Sequence, residues 1–201
     1  MKIVGIDLAG SEKRDTGFCV LNENLFCKTK ILKKDREIIE EVKKINPDII
    51  SIDAPLSLPK GRKSLADRKG PHLRECDKAL AKMGIKFFPL TLGPMRKLTQ
   101  RGIKLKKIFN KMGYEVVESF PGAMQDILKI PRKQKGIEKL RKGLIKIGVK
   151  GDIEKEKITH DELDAICCAL VGKIYLQNNF LSIGDPKEGV IILPKIGSKK
   201  I

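Results

Sequence analysis

The first quarter of the chain consists of short apolar segments joined by connections that are too short to hold a helix. Residues 2–9, 15–21 and 25–32 each have the length and the apolar content of a β-strand. Because so few residues separate them, these strands are expected to pair antiparallel, as a meander. A helical pattern at 35–45 then leads into an apolar segment at 49–53, so this fourth strand is expected to lie parallel to the first.

The remainder of the chain continues this alternation, with two irregular stretches. The predicted elements are helices at about 72–83, 100–112 and 160–177, a fifth strand at 114–119 and a short strand at 190–193. We expect an α/β fold in which helices cover both faces of a mixed five-stranded sheet. Residues 1–201 are expected to form a single domain, elaborated at about 54–100 and 121–150.

The chain carries a large excess of basic residues. Its 42 Lys and Arg against 25 Asp and Glu give a formal net charge of +17, which favours nucleic acid as a partner before an anionic membrane surface. No apolar segment reaches the roughly 18 residues of a membrane span, and no signal-peptide pattern begins the chain. Five cysteines without a C-x-x-C pair argue against a disulfide framework or a zinc site, so a cytoplasmic location is expected. Abundant Lys, Glu and Ile with little Gln is typical of thermophiles.

Three of the predicted strands end in or near a carboxylate. Asp7, Asp53 and Glu118 each occupy a position where an acid commonly caps a turn or faces solvent. If the strands that carry Asp7 and Asp53 are parallel neighbours, however, both acids lie at the carboxyl edge of the sheet, where open α/β sheets place their sites. Buried carboxylates require a compensating cation, so several of them at one edge predict a divalent-metal site.

The last predicted helix supplies two further acids. Thr159 and Glu162 fit a capping box, which accounts for Glu162. Asp161 lies in the first turn, where the helix dipole stabilises an acid. Asp164 lies beyond that turn and shares a face with apolar residues such as Cys168, so it is expected to project toward the sheet. We therefore predict a functional role for Asp164, with Asp161 able to point the same way.

Basic side chains that could contact a nucleic-acid backbone lie mainly in the two irregular stretches, although solvated loops have the same composition. Arg74 precedes Asp77 by three residues, which fits either a structural ion pair or a contact to the scissile phosphate. His160, at the entrance of the last helix, could contact a phosphate or simply face solvent. An aromatic content of 4% favours recognition of phosphate or shape over base stacking. The candidate nucleic-acid-binding residues are Lys60, Arg62, Lys63, Arg68, Lys69, Arg74, Arg132, Lys133, Lys135 and His160.

Five short motifs, in their order and spacing, resemble the ribonuclease H-like superfamily. They are Gly5-Ile6-Asp7-Leu8-Ala9-Gly10, Ile52-Asp53-Ala54-Pro55, Arg74-Glu75-Cys76-Asp77, Glu118-Ser119-Phe120-Pro121 and His160-Asp161-Glu162-Leu163-Asp164-Ala165. Over most of its length the chain is similar to the predicted-nuclease family of that superfamily called domain of unknown function 429. The resemblance implies a three-layer ribonuclease H-like fold whose first-strand acid matches Asp7 and whose last-helix acid matches Asp161 or Asp164. The paired helix acids look more like those of Holliday-junction resolvases, and none of Glu37, Glu40 and Glu41 is marked as the helix acid of ribonuclease H.

These features predict a metal-dependent nuclease in which Asp7, Asp53, Glu118, Asp161 and Asp164 carry the chemistry. Asp7 would bridge two Mg²⁺ or Mn²⁺ ions, with Asp53, Glu118 and Asp164 as further ligands and Asp161 as an alternative. Oxygen ligands favour these ions over zinc. Two other hypotheses are a non-catalytic nucleic-acid-binding protein of the same fold and a phosphotransferase, because the first motif also resembles a phosphate loop of actin-like ATPases. RNA, DNA, hybrid and junction substrates remain equally compatible with the sequence.

Overall fold

A computed structural model of the chain describes residues 1–197, which contain one sheet of eight strands. In chain order the strands are β1 (Lys2–Asp7), β2 (Thr16–Asn22), β3 (Phe26–Leu32), β4 (Ile49–Asp53), β5 (Val116–Ser119), β6 (Lys150–Gly151), β7 (Phe180–Asp185) and β8 (Gly189–Pro194). The helices are α1 (Asp35–Ile45), α2 (Glu75–Lys82), α3 (Gly93–Lys111), α4 (Pro121–Ile127), α5 (Ile137–Lys146) and α6 (His160–Leu176). Short 3-10 turns occur at Lys133–Lys135 and Asp152–Glu154. No helix in the described part of the chain is both long and apolar enough to cross a membrane.

The order of the sheet is β6-β3-β2-β1-β4-β5-β8-β7, which confirms the predicted α/β arrangement. β1, β2 and β3 form the antiparallel meander, and β1, β4 and β5 are parallel neighbours. The sheet is larger than the five strands expected, because β8 pairs with β5, β7 pairs with β8, and β6 pairs with β3. β6 has only two residues, so the sequence shows no strand periodicity there. β7 and β8 form a hairpin in which Gly184 and Gly189 interrupt the apolar alternation.

α6 lies directly against the first two strands because these strands have no side chain at the points of contact. A Cβ atom on Gly5 of β1 would overlap the carbonyl oxygen of Ala165, and a Cβ atom on Gly17 of β2 would overlap that of Asp161. The backbones therefore approach more closely than any larger residue would allow. α6 is buried on most sides from Glu162 to Ile174, as expected of a helix that is apolar all round.

Alternation along the strands decides which side chains face α6. Ile3 of β1 and Ile49 of β4 pack in the cluster that contains the apolar residues of α6. Their sequence neighbours Val4 and Ile50 pack on the other face, against α1 and α3. Because successive side chains of a strand point to opposite faces, every second residue from Ile3 and Ile49 onward faces α6. This places Asp7, four residues after Ile3, and Asp53, four after Ile49, on the α6 face.

The predicted capping box begins α6. The hydroxyl of Thr159 accepts a hydrogen bond from the backbone N–H of Glu162 at 3.2 Å, and the Glu162 carboxylate accepts one from the backbone N–H of Thr159 at 2.9 Å. Glu162 also accepts a hydrogen bond from the hydroxyl of Thr29 on β3, at 2.7 Å. Glu162 is therefore fully used in holding the first turn of α6 to the sheet.

We expect the close approach at Gly5 to be a main determinant of stability. A Gly5→Ala substitution forces a methyl group into the backbone of α6, and overpacking of this kind costs about 3 kcal/mol of unfolding free energy. Gly93→Ala is the matched control, because a Cβ atom there meets nothing within 4 Å. Denaturant unfolding of the two variants and the wild type measures the effect. Equal midpoints for Gly5→Ala and the wild type would contradict the prediction.

Candidate functional site

Asp7 and Asp53 are neighbours at the carboxyl ends of two parallel strands. They are register partners in the β1–β4 pair, and adjacent strands lie about 4.8 Å apart. Both side chains are partly exposed and point to the face covered by α6. The structure thus brings together the two strand acids that the sequence placed at one sheet edge.

α6 adds the two helix acids to the same edge. Asp164 is buried, with 5% of its surface exposed. The charges of Asp164 and Lys133 both affect the pKa of Asp53, so the three side chains are close in space. Asp161 lies one turn earlier on α6, its side chain is 23% exposed, and the Nδ1 atom of His160 lies 2.9 Å from its Oδ1 atom. Four carboxylates therefore surround the carboxyl end of β1.

The electrostatics of this group are unfavourable in the absence of a cation. Burial, followed by the negative charges of Asp53 and Asp164, raises the pKa of Asp7 well above its usual range. Burial and Asp164 raise the pKa of Asp53 to about 8. Repulsion and desolvation act in the same direction on both groups, so their neutral forms are favoured unless positive charge is supplied.

Lys133 supplies one positive charge from the turn that follows α4. Its Nζ atom lies 2.7 Å from Oδ2 of Asp164. Although burial disfavours the ammonium form, the charges of Asp164, Asp7 and Asp161 raise the pKa of Lys133. The sequence placed Lys133 in a basic run that contacts nucleic acid, whereas in the structure it lies among the carboxylates.

Gln125 of α4 is a residue of this site that sequence reasoning missed. Its buried side-chain amide donates to Oδ1 of Asp164 at 2.8 Å and to the sulfur of Cys167 at 3.4 Å. Asp164 is thus held on one oxygen by Gln125 and on the other by Lys133. The sequence signal for Gln125 was a single polar residue on the otherwise apolar face of a short helix. Its partner, Asp164, lies 39 residues further along the chain, so the sequence alone does not connect the two.

Glu118 was predicted to lie with Asp7 and Asp53 at the metal site, but its side chain lies on the other face of the sheet. Its register partner on β4 is Ile52, and the partner of Asp53 is Ser119. Glu118 therefore points to the opposite face of the sheet from Asp53. Its two oxygens accept hydrogen bonds at 2.7 Å from Arg74, and one of them also accepts from the backbone N–H of Leu56. Glu118 lines the same cavity as Asp53 and Asp164. Because it holds a buried arginine, a structural role accounts for it, and its role as a metal ligand stays a prediction.

Arg74 is a structural residue rather than a free phosphate contact. Only 1% of its surface is exposed. Its guanidinium donates to Glu118, to both oxygens of Asp77 at 3.2 and 3.0 Å, and to the hydroxyl of Ser57 at 3.2 Å. All its N–H groups are used, so of the two roles considered for Arg74 the structure supports the ion pair.

Arg62 was also predicted to contact nucleic acid and is instead buried. Its guanidinium donates to the backbone carbonyls of Ser64, Asp67, Gly70 and Pro71, and so closes the loop around itself. The remaining basic residues of this loop are exposed; they are Lys60, Lys63, Arg68 and Lys69.

The other basic candidates differ in their surroundings. Lys135 and His160 are exposed. Arg132 pairs with the carboxylate of Asp126, and its guanidinium lies 5.9 Å from the centre of the Phe120 ring. Lys135 is therefore free to meet a ligand, whereas Arg132 is held in place.

A cavity of about 760 Å³ opens beside the carboxylates. Asp53, Asp164 and Lys133 line one side of it, and apolar side chains line much of the remainder. Three of the seven phenylalanines of the chain, Phe87, Phe88 and Phe120, belong to this lining. The aromatic content of the whole chain, 4%, gave no indication that phenylalanines are concentrated at this cavity.

The donor chemistry of the site fits a hard divalent cation. The four acids offer only carboxylate oxygens, which Mg²⁺ and Mn²⁺ prefer, and the raised pKa values of Asp7 and Asp53 reflect a lack of positive charge. Within residues 1–197, however, no three His, Cys, Asp or Glu side chains already stand in metal-binding geometry.

Solved structures with a similar chain path include two of RuvC from Thermus thermophilus. RuvC in complex with a Holliday junction substrate has a TM-score of 0.53 at 13% identity, covering 89% of this chain and 96% of that chain. A second RuvC structure has a TM-score of 0.47 at 15% identity, with the same coverage. No curated protein matches the sequence. At 13% identity the likeness to the complex defines the fold alone, which is ribonuclease H-like.

Sequence comparison is more specific about the family. A family model described as "Protein of unknown function (DUF429)" matches residues 5–189. The match includes Asp7, Asp53, Asp161 and Asp164, together with the glycines that bring α6 onto the sheet. Because it extends over nearly the whole chain, the protein belongs to the family described as "Protein of unknown function (DUF429)".

Proposed function

We propose that the protein is a metal-dependent nuclease that hydrolyses phosphodiester bonds of nucleic acid. The observation that carries the proposal is the pairing of Asp7 with Asp53 in register, with Asp164 of α6 close enough to raise the pKa values of both. Carboxylates at the carboxyl ends of parallel strands lie where open α/β sheets place their sites, and they are suitable ligands for Mg²⁺ or Mn²⁺. The net charge of +17 supports a polyanionic substrate.

Asp7, Asp53 and Asp164 are the proposed metal ligands, with Asp161 as an additional or alternative ligand. When two ions are bound in such a site, they activate a water molecule and stabilise the leaving oxygen of an in-line displacement. Gln125 orients Asp164 through its hydrogen bond to Oδ1, so it is proposed as a positioning residue. Glu118 is left out of this set because it binds Arg74.

Lys133 is proposed to neutralise the site before an ion binds. Its ammonium group occupies the space beside Asp164 that a divalent cation would compete for. Exposed basic residues at a greater distance are proposed to bind the substrate backbone; they are Lys60, Lys63, Arg68, Lys69 and Lys135. Arg132 and His160 remain proposed contacts at the rim of the site.

One observation favours the alternative of a nucleic-acid-binding protein without catalytic activity. Among the described residues, no preformed three-ligand metal site exists, and an ion pair with Lys133 already compensates Asp164. A protein that kept the fold and lost catalysis would benefit from such internal compensation. Cleavage and metal-binding measurements separate the two functions.

Substitution of Asp7 is expected to abolish cleavage. Wild type and Asp7→Asn are incubated with RNA, DNA, RNA–DNA hybrid and four-way-junction substrates, with Mn²⁺, Mg²⁺ or a chelator. We expect cleavage of at least one substrate by the wild type, its loss with chelator, and a decrease on the order of 100-fold or more in Asp7→Asn, because a ligand to the ion is removed. Glu23→Gln, which changes an exposed carboxylate on the β2–β3 turn, is the control and should cleave normally. Binding without cleavage of any substrate would favour the alternative function.

Replacement of Lys133 should strengthen metal binding. Lys133→Met removes a positive charge that competes for Asp164, so we expect Mn²⁺ to bind roughly tenfold more tightly in calorimetric titration. Lys135→Met, two residues along the same turn, removes an exposed lysine and should leave the Mn²⁺ affinity unchanged. Equal affinities of all three proteins would place the ion away from Asp164.

The metal-free protein should become less stable as the pH rises. The folded state keeps the proton of Asp53 up to a pKa of about 8, whereas the unfolded chain releases it near pH 4. The folded state therefore binds more protons over this interval, and its free energy of unfolding falls as the pH rises from about 4 to about 8. Asp53→Asn removes this contribution and should raise the unfolding free energy at pH 8 by on the order of 2 kcal/mol. Denaturant unfolding in chelator at pH 5 and pH 8 measures it, and an identical pH dependence in variant and wild type would contradict it.

A further inference from the structure

The cavity beside the carboxylates is lined by many apolar and aromatic side chains, which are not needed to bind a metal ion. The end of α2 and residues 84–88 form one wall, and the corner between β5 and α4 forms another. Apolar side chains supply most of its surface, and charged side chains, among them Asp53, Asp164 and Lys86, line the remainder. A lining of this kind is usual in sites that bind an organic group, with a few polar groups that fix its orientation.

Phe88 is the most unusual side chain of this lining. It lies in the loop between α2 and α3, and 71% of its surface is exposed. It therefore presents a flat apolar ring to solvent at the cavity, and aromatic side chains are usual in the lining of ligand sites. Phe87 neighbours it, so this short loop presents two aromatic rings to the cavity or its rim.

Phe120 contributes a third ring from the start of α4. The Arg132 guanidinium lies over this ring, 5.9 Å from its centre, and the carboxylate of Asp126 holds Arg132 in place. Rings and guanidinium planes are the flat surfaces on which nucleobases stack. The cavity thus places stacking surfaces next to the carboxylates where the phosphate of a nucleic acid is proposed to bind.

We propose that this cavity binds a single unpaired nucleobase next to the phosphodiester that the carboxylates address. The inference rests on the proposed function in that nucleic acid is the partner. A volume of about 760 Å³ lies within the usual range for small-ligand sites and admits a nucleoside, but a paired duplex cannot enter it. Lys133 and Arg132 at the rim provide positive charge for the flanking phosphates.

The substrate class follows from this geometry. A base enters the cavity only if it is unpaired or is extruded from its stack, and extrusion costs least where pairing is already interrupted. The preferred ligand is therefore single-stranded nucleic acid, or a duplex with an unpaired base, rather than a continuous helix. The remainder of the duplex would be bound through its backbone by the exposed lysines.

The test measures binding rather than cleavage, with the Asp7→Asn protein at fixed salt concentration. Fluorescence anisotropy compares a single-stranded oligonucleotide with a matched oligonucleotide of the same length that contains abasic sites. We expect the abasic ligand to bind roughly tenfold more weakly, as loss of one stacked base implies. The same ratio is expected between a duplex with one bulged base and the fully paired duplex.

Substitution of Phe88 in the Asp7→Asn protein then tests whether the difference in affinity between intact and abasic oligonucleotides arises at this cavity. Phe88→Leu removes the flat ring and keeps an apolar side chain, so it should weaken binding of the intact oligonucleotide and leave that of the abasic one unchanged. Phe88→Tyr should restore the wild-type difference. Phe26→Ala is the control, because Phe26 is also exposed, at 46%, but lies on β3 outside the cavity. Thermal unfolding of each variant verifies that the fold is intact.

The outcomes separate this proposal from the proposed function. Equal affinity for intact and abasic ligands, or an equal effect of Phe88→Leu on both, would overturn the base-binding subsite even if the wild type cleaves nucleic acid. Base-dependent binding without any cleavage would support the subsite and contradict the nuclease.

Discussion

The site depends on the absence of side chains at two positions of the sheet. Gly5 and Gly17 let the backbone of α6 lie directly on β1 and β2. The first turns of the helix therefore lie in direct contact with the two strands. With any larger residue at these positions, α6 and its acids would stand farther from Asp7 and Asp53. Backbone contact therefore assembles the carboxylates, and the hydrogen bond between Thr29 and Glu162 holds the first turn of α6 to the sheet.

Two groups of acids in this region have opposite surroundings. Glu118 and Asp77 share one buried guanidinium, whose N–H groups are all used. Among residues 1–197, Asp7 and Asp53 have no such partner, and Lys133 from a neighbouring turn pairs with Asp164. The first arrangement is a closed structural unit that links β5 to α2. The second leaves charge uncompensated, which is the condition that favours capture of a cation.

Much of the central fold could be predicted because local patterns determined it. The short connections between β1, β2 and β3 left an antiparallel meander as the simple solution, and α1 required β4 to be parallel to β1. The position of Asp164 on the sheet-facing side of α6 followed from its spacing to apolar residues. Connection length, the crossover through α1 and helical periodicity are all local features of the sequence, and the structure agrees with them. The assignment of Asp7, Asp53, Asp161 and Asp164 as metal ligands remains a prediction.

The remaining features depend on register and on distant partners. The face on which Glu118 lies is decided by its pairing with Ile52, and a shift of one residue along β5 would have reversed it. Arg62 and Arg74 belong to basic or charged motifs in sequence, but their partners in space are carbonyls and carboxylates that only the folded loop brings together. The strand β6 is too short to leave any periodicity.

The loop closed by Arg62 has a consequence for the cost of binding. Four backbone carbonyls between Ser64 and Pro71 already converge on one guanidinium, so the main chain of this segment is ordered before a ligand arrives. A flexible basic loop loses backbone conformational entropy when it closes on a polyanion, whereas here only the long side chains of Lys63, Arg68 and Lys69 would be immobilised. The buried Arg62 thus lowers the entropic cost of binding for the neighbouring basic residues that are proposed to contact nucleic acid.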